Sequence, residues 1–376
     1  MKRFSIRGRA LLDDGFHDGV VITVDEGKIA SISAGGTADL DTGDGWILPG
    51  LIDLHVHGGA GADFMDAEPG TNREILRFHA GRGTTALAAT TLSGSREHVR
   101  NAVETIRQSS DRVSEGAEIV AIHFEGPYVN EAKAGAQDRD SLRAADPEEM
   151  KEWLDTAGEL PVLMTVAPEI AGVPELIRRF RERVLFSIGH TAATWEIAVE
   201  ALEDGARHFT HLFNAMPPLH HREPGPVGAA LASEHATAEL IADGKHVHPA
   251  VLRAAMNALG ERAVLVTDAM RACGMPDGRY QLYQHEVTVR DGGARLADGT
   301  LAGSVLTMGE AVRNMVSLAG VTPEMAIRAA STVPARVLGI SARKGRLAPG
   351  LDADLLVTGA DLEIRRVFLK GVETEP

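Results

Sequence analysis

The sequence lacks the features that mark several classes of protein. No apolar run approaches the ~20 residues that a helix needs to span a bilayer, so we expect no membrane association. The basic start, residues 1–8, leads into no apolar stretch, which argues against a signal peptide and predicts a cytoplasmic protein. Cys273 is the one cysteine and cannot form a disulfide within the chain, which fits a reducing compartment; we expect a loop or core thiol.

The chain also lacks an excess of basic residues. Its formal net charge is −15, from 38 Lys and Arg against 53 Asp and Glu. Nucleic-acid binding needs a concentrated basic face, which the sequence does not display, so we expect no nucleic-acid partner. An anionic substrate would therefore be held by a few local cations.

What is present is the composition of a globular protein, with 44% hydrophobic and 24% charged residues. The length of 376 residues allows one large catalytic domain with a smaller companion. Strand-like apolar runs alternate with helix-like segments, which predicts parallel strands joined by crossover helices. Eight strands are predicted, the number that closes an α/β fold of the (β/α)8 TIM-barrel type. They lie at 51–56, 84–89, 119–124, 162–166, 185–188, 208–210, 239–242 and 264–267.

The two chain ends carry a different pattern. Residues 19–24 and 28–32 flank a Gly-containing turn and predict a β-hairpin. Near the other end, residues 353–357 and 366–369 show the same strand-like pattern. We therefore predict a small β-sandwich domain from residues 1–47 and 344–376, around a barrel of residues 48–343. Helices are predicted at 71–82, 95–108, 174–183, 194–204 and 249–259, followed by a hairpin-like insertion at 280–296 and further helices within 304–338.

Polar residues follow five of the predicted barrel strands. They are, in chain order, His55, His57, Glu125, His190, His211 and Asp268. Active sites of β/α barrels lie at the carboxyl ends of the strands, and residues two apart in a strand point the same way, so His55 and His57 could hold one ion. A single histidine is more often a hydrogen-bonded core or surface imidazole, but the joint pattern predicts a divalent-metal centre. Ligands without thiolate suit zinc, which we favour, or iron, manganese or cobalt.

Several motifs then carry a resemblance to a known family. They are DLHVHG at 53–58, EGPY at 125–128, GHT at 189–191, THLFNAM at 210–216, HREPG at 221–225, DGKH at 243–246, TDA at 267–269 and LAGS at 301–304. In this order, over nearly the whole chain, they closely resemble the N-acetylglucosamine-6-phosphate deacetylases of the amidohydrolase superfamily. The His-X-His pair alone would indicate only the superfamily.

The resemblance implies roles for the metal ligands. Glu125, His190 and His211 would hold one ion, and His55 and His57 a second, with Glu125 able to bridge. Some relatives lack the two first-strand histidines and use one ion, so one or two ions remain open, with two favoured. Asp268 would take a proton from metal-bound water, whose pKa the ion lowers towards ~7, and pass it to the leaving amine. The alternative interpretation of Asp268 is an ordinary carboxylate at the end of a strand, without a catalytic role.

The resemblance also implies the substrate contacts. Backbone N–H groups of Asn214 and Ala215 and the guanidinium of Arg222 would bind phosphate. Arg222 could act in its own or the neighbouring subunit, and the second case would make a homodimer part of the site; a solvated loop arginine is the alternative. Sugar contacts are implied for Ala136, Gln137, Asp243, His246, Leu301, Ala302 and Gly303, whereas His123, His208 and His221 are interpreted as structural.

One position departs from the family pattern. Where some members have Lys-X-Gly-X-His, this chain has KAGAQ at 133–137. Gln137 can donate or accept a hydrogen bond but cannot become cationic. We therefore expect Gln137 to contact the sugar without a charged role, and both the glucosamine and the galactosamine epimer are candidate substrates.

The expected function is hydrolysis of N-acetylglucosamine 6-phosphate to glucosamine 6-phosphate and acetate, in amino-sugar catabolism and cell-wall recycling. N-acetylgalactosamine 6-phosphate is the near alternative. The Asn214 and Arg222 segments count against a cyclic amidase or an N-acyl-amino-acid deacylase. A catalytically silent sugar-phosphate-binding protein would lack Asp268 or some ligands, and all are present.

Overall fold

The computed structural model describes residues 3–110 and 116–374. Its strands are β1 Phe4–Leu12, β2 Gly15–Asp25, β3 Lys28–Ala34, β4 Leu40–Pro49, β5 Leu51–Val56, β6 Gly58–Gly59, β7 Ala62–Asp63, β8 Thr84–Thr91, β9 Glu118–Glu125, β10 Val162–Val166, β11 Val184–Ile188, β12 His208–Phe209, β13 Thr237–Ile241, β14 Ala263–Val266, β15 Gly278–Leu282, β16 His285–Arg290, β17 Gly293–Arg295, β18 Leu355–Thr358, β19 Ile364–Leu369 and β20 Val372–Thr374. Its helices are α1 Pro69–Ala80, α2 Arg96–Ser110, α3 Pro147–Ala157, α4 Val173–Phe180, α5 Trp195–Asp204, α6 Gly225–Ala232, α7 Pro249–Leu259, α8 Met308–Ser317, α9 Pro323–Ala329 and α10 Thr332–Val337.

Eight parallel strands form the barrel, in the order β14-β13-β12-β11-β10-β9-β8-β5. They are the eight predicted strands, with ends shifted by no more than two residues. The seam between β5 and β14 is joined by a parallel bridge between Val56 and Ala269 and by a 2.9 Å bond from His57 N to Ala269 O. The predicted (β/α)8 barrel is confirmed.

The barrel strands are buried on both faces because helices cover the outside. All six residues of β5 and all five of β10 are buried, without the alternation of a half-exposed strand. Helix α2 is amphipathic, since it buries Val99, Val103 and Ile106 and exposes its charged face. This packing fixes the strand ends and therefore the side chains that follow them.

Both chain ends form one seven-stranded sheet, in the order β20-β19-β18-β4-β1-β2-β3. The predicted β2–β3 hairpin is present, while β1 was not predicted because Arg7 and Arg9 interrupt its apolar pattern. The sheet curls over a core of its own, since Phe4 in β1 stacks on Phe368 in β19 with ring centroids 5.5 Å apart. The domain built from the two ends is thus confirmed.

The predicted insertion after the eighth barrel strand is a three-stranded antiparallel sheet of β15, β16 and β17. The segment that follows it, through Gly303, returns to the barrel mouth, where Ser304 N donates to Asp268 O at 2.7 Å. Within residues 3–110 and 116–374, no helix is both long and apolar enough to cross a membrane.

Candidate active site

A cavity of about 400 Å³ opens at the carboxyl ends of the barrel strands. Five of the six predicted centre residues line it. His57 directly follows β5, Glu125 ends β9, and His190, His211 and Asp268 each follow their strands by two residues. His55 lies below, completely buried in β5. The barrel therefore brings the six residues together from five strands.

Glu125, His190 and His211 form the first cluster. Glu125 Oε1 lies 3.1 Å from Nε2 of each histidine, and the two Nε2 atoms are 3.0 Å apart. In a tetrahedral site with metal–ligand bonds of ~2.1 Å, neighbouring ligand atoms are ~3.4 Å apart. The three donor atoms thus have the spacing and chemistry of ligands converging on one ion.

His55 and His57 form a second cluster on the other side of Glu125. Their Nε2 atoms are 3.2 Å apart, and His57 Nε2 lies 3.3 Å from Glu125 Oε2. His55 Nε2 is 3.3 Å from Glu125 Oε1. Among the described residues, these two groups could each hold a divalent ion and share the Glu125 carboxylate, and a third group of His55, His123 and Glu239 lies beneath them.

Asp268 faces the second cluster. Its Oδ1 lies 3.3 Å from His57 Nε2 and 3.6 Å from His55 Nε2. Burial opposes ionisation of this carboxyl, but the charge of His55 and the hydrogen bond to His57 outweigh it and hold the pKa of Asp268 below its usual value. Asp268 is therefore a carboxylate that can accept a proton.

The backbone at three of these positions is unusual for residues other than glycine. His190, His211 and Asp268 have φ values of 45°, 29° and 50°. Left-handed conformations of such residues cost free energy and cluster at functional sites, where the surrounding structure enforces them. Here they turn side chains at the strand ends towards the barrel axis.

The centre carries an excess of buried negative charge. Burial disfavours protonated imidazole, but Glu125, Asp268 and Glu239 outweigh it and raise the pKa of His55 well above its ordinary value. The pKa of His57 is raised to about 9 against the same burial by bonds to Asp268 and Glu125. A divalent cation would replace such protons and neutralise the carboxylates.

Sequence reasoning missed Glu239, in the middle of β13. Its Oε2 lies 3.0 Å from His55 Nδ1 and accepts from His211 N at 2.9 Å, and its Oε1 lies 3.2 Å from His208 Nε2. The signal was available, because a carboxylate within the apolar run Thr237–Ile241 demands buried partners. His123 also lies below the centre, 2.8 Å from Thr165 Oγ1 through Nε2.

The residues implied for substrate contact divide into two groups. Those that line the cavity are Ala136, Gln137, Asn214, Ala215, His246, Leu301 and Gly303. Asp243 instead lies 2.7 Å from His246 Nδ1 and orients that ring, and Ala302 is buried with its N–H donating to Ala294 O. Arg222 is exposed on a loop outside this cavity, with Nη1 2.6 Å from His221 Nε2.

Further residues reach the cavity without having been predicted. They are Leu92, Ala132, Lys133, Gly135, Arg139, Leu282, Asp298 and Thr300. The carbonyl of Lys133 lies 2.8 Å from His190 Nδ1, and its Nζ donates to Met216 O at 3.4 Å, beside the Asn214–Ala215 turn. The KAGAQ motif begins with this lysine, but the motif was interpreted only for Gln137, because the position of Lys133 in the cavity depends on how the loop folds back.

The barrel, the domain formed by the chain ends and the His and Glu clusters together are typical of a metal-dependent hydrolase. The sequence profile of the Amidohydrolase family matches residues 46–374, and the chain belongs to that family. It is 39% identical to the N-acetylglucosamine-6-phosphate deacetylase of Bacillus subtilis, over 93% of this chain and 91% of the relative. It is 38% identical to the N-acetylgalactosamine-6-phosphate deacetylase of Escherichia coli O157:H7, over 97% of this chain and 98% of the relative.

Solved structures narrow the class further. The N-acetyl-D-glucosamine-6-phosphate deacetylase of Mycobacterium smegmatis, an Asp-to-Ala variant in complex with N-acetyl-D-glucosamine 6-phosphate, matches with a TM-score of 0.94 at 32% identity over 99% of both chains. The deacetylase of Thermotoga maritima matches with a TM-score of 0.89 at 32% identity over 98% of both. Within the amidohydrolases, the chain belongs to the N-acetylglucosamine-6-phosphate deacetylase family, as its motifs predicted.

Proposed function

We propose that this protein hydrolyses the acetamide of N-acetylglucosamine 6-phosphate, giving glucosamine 6-phosphate and acetate. The observation that carries the proposal is the convergence of Glu125, four histidines and Asp268 at the floor of one cavity. A cavity of about 400 Å³ is within the range of small-molecule sites and has room for a sugar phosphate. A catalytically silent binding protein is disfavoured because no member of this set is missing.

The chemistry divides between a bound ion and Asp268. A divalent ion held by these ligands would lower the pKa of water and polarise the acetyl carbonyl. Asp268, ionised and next to His57, accepts the proton of the attacking water at its carboxylate. It then donates that proton to the sugar nitrogen, because an amine leaves a tetrahedral intermediate poorly unless it is protonated.

The phosphate end of the substrate requires donors. The N–H of Asn214 already donates to His211 O at 3.0 Å, so the backbone donor that we propose for phosphate is that of Ala215. Lys133 Nζ lies at the same turn, where its bond to Met216 O is long at 3.4 Å. We propose Lys133 as the cation that this chain itself contributes.

Arg222 fits a different role. Its loop is exposed, with Leu219 51% exposed, and the guanidinium does not line the cavity of its own chain. We propose that Arg222 serves the site of a neighbouring subunit in a homodimer. We further propose that the protein acts in the cytoplasm, in amino-sugar catabolism and cell-wall recycling. We propose that each subunit binds two divalent ions rather than one, with zinc favoured over iron, manganese or cobalt.

N-acetylgalactosamine 6-phosphate is the second candidate substrate. It is favoured by Gln137 at the position where some family members have histidine and by the similarity to the Escherichia coli relative.

The decisive experiment measures acetate release from both 6-phosphorylated N-acetylhexosamines, with metal-stripped protein and with protein reloaded with zinc, iron, manganese or cobalt. We expect turnover only after reloading, with the glucosamine epimer preferred. No turnover of either sugar by fully loaded protein would refute the function.

A further inference from the structure

The side chain of Gln137 joins two parts of the protein. Its Nε2 donates to Glu125 Oε2 at 2.7 Å, and its Oε1 accepts from Ser93 N at 2.8 Å. A backbone N–H can only donate, so the carbonyl end of the amide must face Ser93 and the NH2 end must face Glu125. With 3% of its surface exposed, Gln137 has little freedom to leave this bridge.

The bridge belongs to a loop that also contacts His190. Gln137 N donates to Ala134 O at 3.0 Å, and Lys133 O, in the same loop, lies 2.8 Å from His190 Nδ1. Gly126 follows Glu125 directly, and a Cβ atom there would lie 2.2 Å from Ser93 Oγ, so glycine permits the end of β9 to approach Ser93 closely. One loop thus contacts two of the three residues in the first cluster.

The two carboxylate oxygens of Glu125 have different surroundings. Oε1 lies 3.1 Å from the Nε2 atoms of His190 and His211, whereas Oε2 lies 3.3 Å from His57 Nε2 and receives the Gln137 hydrogen bond. Each oxygen has two lone-pair directions. The amide occupies one direction on Oε2, leaves the other towards His57, and opposes rotation of the carboxylate.

We propose that Gln137 is a positioning residue that orients Glu125 for ion binding, and that this is its main role rather than contact with the sugar. The inference deepens the metal-dependent function proposed above and rests on it for the nature of the ligand. Partners of metal ligands typically contribute 10–100-fold to metal affinity when they hold a ligand in place. Gln137 also lines the cavity, so the two roles must be separated by measurement.

The test compares Gln137→Met, which keeps the length and removes both hydrogen bonds, with Gln137→Asn, which keeps the amide but is too short for the bridge. Affinity for Zn²⁺ and Co²⁺ is measured by competition with a chromophoric chelator, without substrate. We expect both variants to bind metal about 10- to 100-fold more weakly than the parent chain. At saturating metal, we expect KM for the phosphorylated sugar to be unchanged.

Thr300→Val is the matched control, because Thr300 lines the same cavity but is not part of the Gln137 bridge. Its metal affinity should equal that of the parent chain. Unchanged metal affinity in a folded Gln137 variant, with KM raised instead, would overturn the proposal and assign Gln137 to the sugar. Metal affinity is measured without substrate, so it can be determined even if the protein proves not to be a deacetylase. Gln137→Asn provides the measurement if Gln137→Met does not fold.

Discussion

The Nδ1 atom of His55 lies 3.0 Å from Oε2 of Glu239, and both side chains are completely buried. A carboxylate that accepts from the far nitrogen of a ligand histidine fixes its tautomer and ring orientation and strengthens it as a ligand. Glu239 also accepts from the backbone N–H of His211. One carboxylate therefore supports residues from both candidate ion clusters.

Glu239→Gln should weaken metal binding. The amide keeps the shape of the side chain but removes the charge that favours the Nδ1–H form of His55. We expect metal affinity to fall about 10- to 100-fold, by chelator competition, together with a lower melting temperature because a buried charge network is disrupted. Glu203→Gln, an exposed change on α5, is the control. Parental metal affinity in Glu239→Gln would contradict the supporting role of Glu239.

Asp268→Asn should abolish turnover and leave metal binding nearly intact. General acid–base catalysis contributes about 10²–10⁴-fold to rates, and the amide can neither take the proton of water nor return it to the amine. We expect kcat to fall by about that factor while metal content, determined by elemental analysis, stays near that of the parent chain. Asp155→Asn, an exposed change on α3, should leave both quantities unchanged. An active Asp268→Asn enzyme would exclude Asp268 as the proton carrier.

Lys133→Met should weaken recognition of the phosphate selectively. A hydrogen bond to a charged group contributes about 1.5–3 kcal/mol, so we expect KM for the 6-phosphorylated sugar to rise about 10- to 100-fold. The kcat/KM for unphosphorylated N-acetylglucosamine should not change, because the backbone carbonyl that faces His190 is retained. Lys151→Met, exposed on α3, controls for loss of a positive charge. An equal effect on both sugars would place the role of Lys133 at the metal centre instead.

Arg222 can be tested by complementation between subunits. Arg222→Ala and Asp268→Asn are each expected to be nearly inactive when expressed alone. If Arg222 acts in the neighbouring subunit, a mixed dimer of the two variants has one site with both residues intact, and co-expression with two different tags should restore activity. Doubly tagged dimers without activity would place Arg222 in the site of its own subunit, and an active Arg222→Ala variant would place it outside the reaction.

Glu118 should contribute to stability in a pH-dependent way. It lies 2.7 Å from Arg343, 3.1 Å from Lys344 and 3.0 Å from Lys370, and so joins β9 to the C-terminal segment. Burial opposes its ionisation, but the Arg343 hydrogen bond and the lysine charges lower the pKa of Glu118 to about 2, against 4.5 for a free glutamate.

A lowered folded-state pKa stabilises the protein above the unfolded-state pKa, and this stabilisation is lost as pH falls from about 4.5 to about 2. The melting temperature of Glu118→Gln should therefore lie below that of the parent chain at pH 7, and the difference should shrink as the pH drops through this window. Scanning calorimetry measures both. A difference that stays constant down to pH 3 would show that ionisation of Glu118 is not the cause.

The amino-acid sequence by itself determined the barrel and the main residues of the candidate metal site. The strands were predictable because each is a short apolar run bounded by turn residues, and the residues just past them, such as His190 and Asp268, necessarily meet at one end of a parallel barrel. The spacing of His55 and His57 places both on one face because side chains in a strand alternate.

Only the tertiary structure decided which residues support this centre. Glu239 lies 184 positions from His55 along the chain, and the contact exists because the barrel closes. The loop that carries Lys133 and Gln137 folds back onto His190 and Glu125, and the loop that carries Arg222 leads away from the cavity. Loop paths depend on packing and hydrogen bonds between distant segments, which local sequence patterns do not encode.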